Sequence, residues 1–344
     1  MRAIYFDEFS GPLTIKDIPT PKAGPKSVVI KVEATGLCRS DWHAYVGHDS
    51  DIKLPHVPGH ELAGLISEVG SEVKNFKMGD RVTVPFVNGC GTCEFCLRGN
   101  AQVCPSQTQP GFTQFGSFAE FVSIENADFN LIKLPDEIEF ATAAALGCRF
   151  ATAYRGLVAR AQVTPGQNVA IFGCGGVGLS ALLIAKALGA KTICVDISDS
   201  ALKMAAELGA DSVINAKSED VVKKIGEITN GGADVAVDAL GSEITANQSV
   251  LSLKRLGKHI QLGLLLTPDG KTPMSMARII AFELDILGSH GMAAVDYPKM
   301  LELVTAKKLN PNKLVSGVID MDQGLEMLAK LGQEPPTGIW IIAP

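Results

Sequence analysis

The chain has 344 residues, of which 46% are hydrophobic and 20% charged, with a formal net charge of -6. That length suits two domains, and the apolar share supports packed cores and excludes a disordered chain. The acidic balance, without any basic run, excludes a nucleic-acid or anionic-membrane partner surface.

Taken in order, Met1-Arg2-Ala3-Ile4-Tyr5 enters an alternating strand pattern with no leader-like apolar core. No apolar stretch approaches the roughly 20 residues that span a bilayer. The expectation is a soluble, cytoplasmic protein. Up to about Leu134 short strand patterns are cut by Gly and Pro: Ser27–Val32, Glu61–Ile66, Arg81–Val84 and Phe118–Val122. Long helical patterns are scarce there, which predicts a mostly β domain.

The grammar changes near residue 150. Asn168–Gly173 reads as a buried strand, Val177–Leu188 as a helix ending at Gly189, Thr192–Asp196 as a strand, and Asp199–Leu208 as a helix. Val213-Ile214, Asp234–Asp238, Lys258–Leu262 and Asp285–Leu287 continue the alternation. Strands separated by helices predict an open, doubly wound parallel sheet. After about His290 a helix near Pro298–Lys308 and a strand near Ile339–Ile342 remain, too little for a domain. The expected division is therefore 1–150 completed by 290–344, and 151–289.

Eight cysteines in a chain of this size do not make a disulfide scaffold. Four of them, Cys90, Cys93, Cys96 and Cys104, follow the spacing Cys-x2-Cys-x2-Cys-x7-Cys on one loop. Four thiolates form a closed tetrahedral site suited to structural zinc. Gly89, Gly91 and Gly99 supply the tight turns. An iron–sulfur cluster or free cysteines are the competing readings. Cys38, His60 and Cys148 make a Cys-His-Cys set that leaves a fourth position open, as a catalytic zinc requires. Each taken singly is equally well a buried thiol or a satisfied core histidine.

Gly173-Cys174-Gly175-Gly176-Val177-Gly178 fits G-x-G-x-x-G between a strand and a helix. Its glycines let the backbone approach a pyrophosphate at the helix N-terminus. Asp196 ends the next strand, where a carboxylate accepts hydrogen bonds from ribose hydroxyls and repels a 2′-phosphate, so NAD is favoured over NADP. Helix capping is the alternative role, although Ser198 or Asp199 could cap equally well.

Gly59-His60-Glu61-Leu62-Ala63-Gly64, running on to Val69-Gly70, resembles the G-H-E-x-x-G signature of zinc-containing medium-chain alcohol dehydrogenases. The order of motifs agrees along nearly the whole chain: cysteine ligand, Gly-His-Glu, four-cysteine lobe, third ligand, glycine loop, ribose-binding Asp. The resemblance implies a GroES-like catalytic domain with a Rossmann domain, and substrate and nicotinamide meeting between them. It implies two zinc ions per chain: a catalytic one on Cys38, His60 and Cys148, and a structural one on the four-cysteine lobe.

It further implies that Glu61 can approach the catalytic metal, that Asp41 orients the ligating histidine, and that Arg39 contacts the pyrophosphate. Phe86 becomes an aromatic wall of the substrate pocket. The activity implied is reversible, NAD-linked oxidation of primary or secondary alcohols to aldehydes or ketones. Zinc acidifies the alcohol, hydride passes to the nicotinamide, and a proton leaves by Ser40 and then His43, through the cofactor ribose.

His48, His56, His259 and His290 are read as structural, and Cys174 and Cys194 as buried packing residues. Trp340 stands where some of that family carry an arginine toward the pyrophosphate. Gly47-His48-Asp49-Ser50 lacks the tryptophan of ethanol-oxidising yeast-type members, and Cys148 replaces the glutamate usual in polyol-oxidising ones. A polyol, diol or formaldehyde dehydrogenase on the same scaffold is the alternative, and a non-catalytic NAD- and zinc-binding protein the more distant one. Chains of this length in that family are often tetramers, so a homotetramer is expected, with a dimer next.

Overall fold

The computed structural model describes residues 1–266, 271–333 and 336–344. It divides into two compact units, Met1–Ala151 with Gly291–Lys307 and Pro311–Pro344, and Thr152–His290 with Lys308–Asn310.

In the first unit β1 (Arg2–Tyr5) and β2 (Thr14–Asp17) form an antiparallel ribbon. The main sheet is organised around β3 (Val28–Leu37), whose alternate residues Val28, Ile30 and Val32 fill the core. One edge of β3 pairs with β4 (Glu61–Val69), which continues to β5 (Arg81–Thr83). Its other edge is shared: β6 (Phe121–Ile124) takes the start of β3. Strand β7 (Ile132–Lys133) closes on β5. The expected strand at Phe118 begins only at Phe121, because the Phe118 N–H is drawn off to the Pro58 carbonyl and Ala119 makes an isolated bridge to Ala3.

The second unit holds six parallel strands, β8 (Asn168–Phe172), β9 (Lys191–Asp196), β10 (Ser212–Asn215), β11 (Ala233–Asp238), β12 (Leu253–Gln261) and β13 (Asp285–Gly288). Their order in the sheet is β10-β9-β8-β11-β12-β13. This is the doubly wound arrangement, and the strand order reverses between β8 and β11. The glycine loop leaves β8 at that reversal, where such sheets bind ligands beyond the carboxyl ends of their strands. Helix Gly176–Ala187 is apolar on nearly every face, and Gly178 through Ala185 are all buried. Such a helix belongs inside a layered fold rather than on its surface.

The last strands, β14 (Val315–Ile319) and β15 (Ile339–Ile342), return to the first unit's sheet. Strand β15 pairs antiparallel with the end of β3, Trp340 opposite Leu37 and Ile342 opposite Thr35. Trp340 stacks over Gly317, where an added Cβ would lie 2.6 Å from the ring. Sequence patterning marks β1 at Met1–Tyr5 but does not reveal β2, β14 or the helix Met321–Lys330. Those two unrevealed strands are 4 and 5 residues long, too short for a periodic signal.

Candidate active site and metal centres

Strand register assembles the first cluster. Gly36 of β3 lies opposite Glu61 of β4, so Cys38, just beyond one strand end, and His60, just before the other, become neighbours. Cys38 then serves as the extended residue ahead of helix Arg39–Tyr45, with Asp41 in the first turn. The Asp41 carboxylate is fully buried and accepts three hydrogen bonds: the Cys38 N–H at 2.9 Å, the Gly59 N–H at 3.0 Å and the His60 Nδ1–H at 2.7 Å. One carboxylate therefore fixes both ligand-bearing segments and the imidazole tautomer. Gly59 takes φ +102°, and a Cβ there would lie 2.5 Å from the Phe118 N. Only glycine lets the chain pass so closely and turn into His60.

With Nδ1 committed, the His60 Nε2 is buried and has no hydrogen-bond partner among the described residues. Ligand atoms of Cys38, His60, Glu61 and Cys148 all lie within 4.8 Å of one another. Two thiols, an imidazole nitrogen aimed between them and a single adjacent carboxylate fit a borderline-soft divalent ion such as zinc. The charges are arranged for it. The Cys38 thiol is held well below the usual thiol range by the hydrogen bond from Cys148, with help from Arg149 and His60. Cys148 is pushed up by the same bond and by burial. Burial works against an imidazolium at His60, but the Asp41 carboxylate and the Cys38 thiol outweigh it and raise the group well above the usual histidine value.

Glu61 does not hang free beside this set. Its Oε1 accepts from the Arg149 backbone N–H at 3.0 Å and from Nε at 3.1 Å, and its Oε2 pairs with Nη2. Burial still raises the Glu61 carboxyl above the usual range, with Arg149 opposing. Gly147 makes the room, since a Cβ there would meet the Glu61 side chain at 2.7 Å. Arg149 escapes sequence reading because 88 residues separate the partners.

Phe86 is buried with its ring centroid 6.0 Å from that of His60, and Phe112, which sequence reading misses, lies closer at 5.0 Å. Ser40 Oγ is 3.8 Å from Cys38 Sγ. Arg39 is exposed, its guanidinium 6.0 Å over the Trp42 ring. His43 is pushed down to about 4 by burial, with the Arg39 and His48 charges adding to it. Its Nδ1 meets Nδ1 of His48 at 2.9 Å, a partner that sequence reading did not give it.

The second cluster is Cys90, Cys93, Cys96 and Cys104, whose sulfurs also lie within 4.8 Å of one another. Cys93 and Cys104 Sγ are 3.7 Å apart, and Cys90 and Cys96 Sγ 4.0 Å. Zinc–sulfur bonds of about 2.3 Å in a tetrahedron put the sulfurs about 3.8 Å apart. The spacing is far beyond the roughly 2.05 Å of a disulfide. Backbone N–H groups of Thr92 and Cys93 and the Thr92 hydroxyl surround the Cys90 sulfur, and those of Thr92 above all lower its thiol to about 5. Asn130, buried, anchors the lobe by accepting from the Gly89 N–H at 2.8 Å and donating to the Gly89 carbonyl at 3.0 Å.

In the second unit Gly173 takes φ +93°, and a Cβ on Gly178 would fall 1.7 Å from the Gly173 carbonyl oxygen. The loop and the first turn of helix Gly176–Ala187 are thus in contact, while Gly175 faces open space. Asp196 ends β9 with Oδ2 accepting the Cys174 N–H at 2.6 Å and Oδ1 accepting from Ile197 and Ser198 at 2.7 and 2.9 Å. It ties the glycine loop to the following turn, and Ser198 caps the next helix by accepting from the Ala201 N–H. Val177 stands in the first helical turn, half-buried. Cys174 and Cys194 are both buried.

A family model described as an alcohol dehydrogenase GroES-like domain matches residues 24–136, and one described as a zinc-binding dehydrogenase matches residues 176–306. The chain is 35% identical to an alcohol dehydrogenase of Geobacillus stearothermophilus over 96% of each. It belongs to the zinc-containing medium-chain alcohol dehydrogenase family. A further member, an NAD-dependent alcohol dehydrogenase of Sulfurisphaera tokodaii, is 35% identical over the full length of both chains. The solved alcohol dehydrogenase of Aeropyrum pernix superposes with a TM-score of 0.90 at 31% identity, again over the whole of both chains. The family's two-domain α/β fold, a GroES-like domain with a Rossmann sheet, is that of this chain.

Proposed function

We propose that the protein is a zinc-dependent, NAD-linked alcohol dehydrogenase, reversibly oxidising primary or secondary alcohols to aldehydes or ketones. The observation that carries this reading is the buried His60 Nε2, without a hydrogen-bond partner among the described residues and close to the thiols of Cys38 and Cys148. Three protein donors suit a reactive site, whereas the four cysteines of the lobe suit a closed structural one. Zinc supplies Lewis acidity toward an alcohol hydroxyl, and NAD supplies the hydride acceptor.

The chain's own residues do the rest. Asp41 holds the His60 ring in the tautomer that ligates. Arg149 offsets the negative charge of the cysteine ligands and engages Glu61, which keeps the carboxylate adjacent to the ligands without closing the site. Phe86 and Phe112 flank His60 with apolar rings that exclude water from it. Ser40 Oγ receives the alcohol proton, and His43 carries it outward. Gly173, Gly175, Gly176, Val177 and Gly178 receive the pyrophosphate with Arg39, and Asp196 accepts from the adenosine ribose. A cytoplasmic homotetramer completes the proposal; among the described residues no helix is long and apolar enough to cross a membrane.

The test is zinc content per chain together with nicotinamide absorbance across alcohols of graded size. Two zinc ions, one for each cluster, and alcohol-dependent NADH formation are expected. A single zinc with no turnover would sink the reading.

A further inference from the structure

Two histidines stand together outside both ligand sets. His43 is half-buried on helix Arg39–Tyr45, and His48 is exposed in the turn that follows. Their Nδ1 atoms are 2.9 Å apart and their ring centroids 5.2 Å, with the planes tilted by 35°. Both meet the Trp42 ring edge-on, at 5.0 and 5.6 Å. The backbone sets this spacing: the His48 N–H donates to the His43 carbonyl at 2.9 Å, and Gly47 between them takes φ +78°. Such a left-handed residue reverses the chain just past a helix end.

Two Nδ1 atoms at hydrogen-bond distance bond only when one carries hydrogen and the other offers its lone pair. The neutral pair therefore shares a single Nδ1 proton. We infer that His48 is the outer member of a two-histidine proton outlet, passing to water the proton that alcohol oxidation delivers to His43. The inference rests on the alcohol dehydrogenase reading above.

The transfers balance. His43 starts with hydrogen on Nδ1, donating to His48, and His48 starts with hydrogen on Nε2. A proton arriving at His43 Nε2 is matched by passage of the Nδ1 proton to His48 Nδ1, and His48 releases its Nε2 proton to water. One proton enters, one leaves, and neither ring keeps a charge. Carbonyl reduction runs the same transfers backwards. Direct handover matters because His43 is a poor resting place for a proton near neutral pH, being held to about 4. The charged groups acting on it are Arg39, His48 and the Cys38 thiol. Gly332, just past the end of the helix Met321–Lys330 that packs against this one, lies against the Trp42 ring.

The test compares wild type, His48→Gln and His48→Ala in alcohol oxidation at low buffer concentration. Glutamine keeps a hydrogen-bonding side chain but cannot accept one proton and release another. Both variants should lose about 3- to 10-fold in kcat with an unchanged KM for NAD, an effect within the range of a general acid–base step. Raising the concentration of a non-chelating tertiary amine buffer should restore both. A purely structural His48 instead predicts that His48→Gln matches wild type and that buffer restores neither; that result overturns the inference while leaving the enzyme reading intact. Wild type without turnover of any alcohol overturns both. As a readout apart from activity, the Nδ1 resonances of residues 43 and 48 should move together in a histidine-labelled pH titration, and independent movement counts against the outlet.

Discussion

Single side chains carry the reactive part of this molecule, and the metal-free Cys38–His60–Cys148 set is charged in a way that can be measured. His60 and Cys148 are both raised well above their usual values, so both favour keeping protons that they must give up to ligate. Cys38 is held low and parts with its proton more readily than Cys148. Zinc loading of this site should therefore release protons, and affinity should rise as pH increases, about tenfold per released proton per pH unit. Calorimetry in two buffers of different ionisation enthalpy reads the number directly; no proton release would refute the charge assignment. Asp196 is the second case. Because its carboxylate also holds the Cys174, Ile197 and Ser198 N–H groups, glycine there would disorder the loop as well as remove the charge. Asp196→Asn keeps a carbonyl acceptor while removing the charge that repels a 2′-phosphate. The expected outcome is a rise of about tenfold in the NADP-to-NAD ratio of kcat/KM, on the order of 1.4 kcal/mol. An unchanged ratio would remove Asp196 from cofactor selection.

At the scale of elements, function depends on where strands stop. The ends of β3 and β4 bring Cys38 and His60 together, and the end of β8 releases the glycine loop. That loop tolerates no side chain at Gly178, where the space is taken by the Gly173 carbonyl. Gly178→Ala should weaken NADH binding at least tenfold by forcing the loop away from the helix start, with far less effect on zinc content. Fluorescence titration of NADH checks this, and wild-type affinity would show that the close approach is dispensable. Helix Arg39–Tyr45 is short, yet its first five residues include Arg39, Ser40, Asp41 and His43. Its helical spacing lets one side chain anchor the ligand histidine while others face outward.

For the whole molecule, two zinc sites on one unit should separate by mutation. Cys38→Ala is expected to abolish turnover, leave one zinc per chain and leave Tm near wild type. Cys104→Ser is expected to lose the lobe's zinc and lower Tm by about 5–10 °C, because a structural ion contributes to folding directly. Zinc analysis with scanning calorimetry tests both, and an active Cys38→Ala enzyme would refute the ligand assignment. The parallel sheet was legible as a class from strands alternating with helices, since the central strands β8, β9 and β11 are largely apolar and buried. The shared use of β3 by β4, β6 and β15 was not legible, because pairing between strands leaves no periodic trace in either one.

What the sequence determined by itself is the chemistry held in short segments. The four cysteines of the lobe span 15 positions, and the glycine loop 6, so residue spacing and turn chemistry already specify what each can hold. Gly59-His60-Glu61 and Cys38 with Ser40, Asp41 and His43 were readable only through the resemblance to the zinc-containing medium-chain alcohol dehydrogenases. Only the tertiary structure decided the contacts that fix those groups: Asp41 bridging to Gly59 and His60, Arg149 reaching Glu61, Asn130 bracing Gly89, Phe112 beside His60. Those partners are tens of residues apart, and a buried polar group finds its partner through the packing of the whole unit, not through its neighbours in the chain. His43 and His48 lie between the two cases: they are 5 residues apart, but only the turn at Gly47 makes their rings face each other.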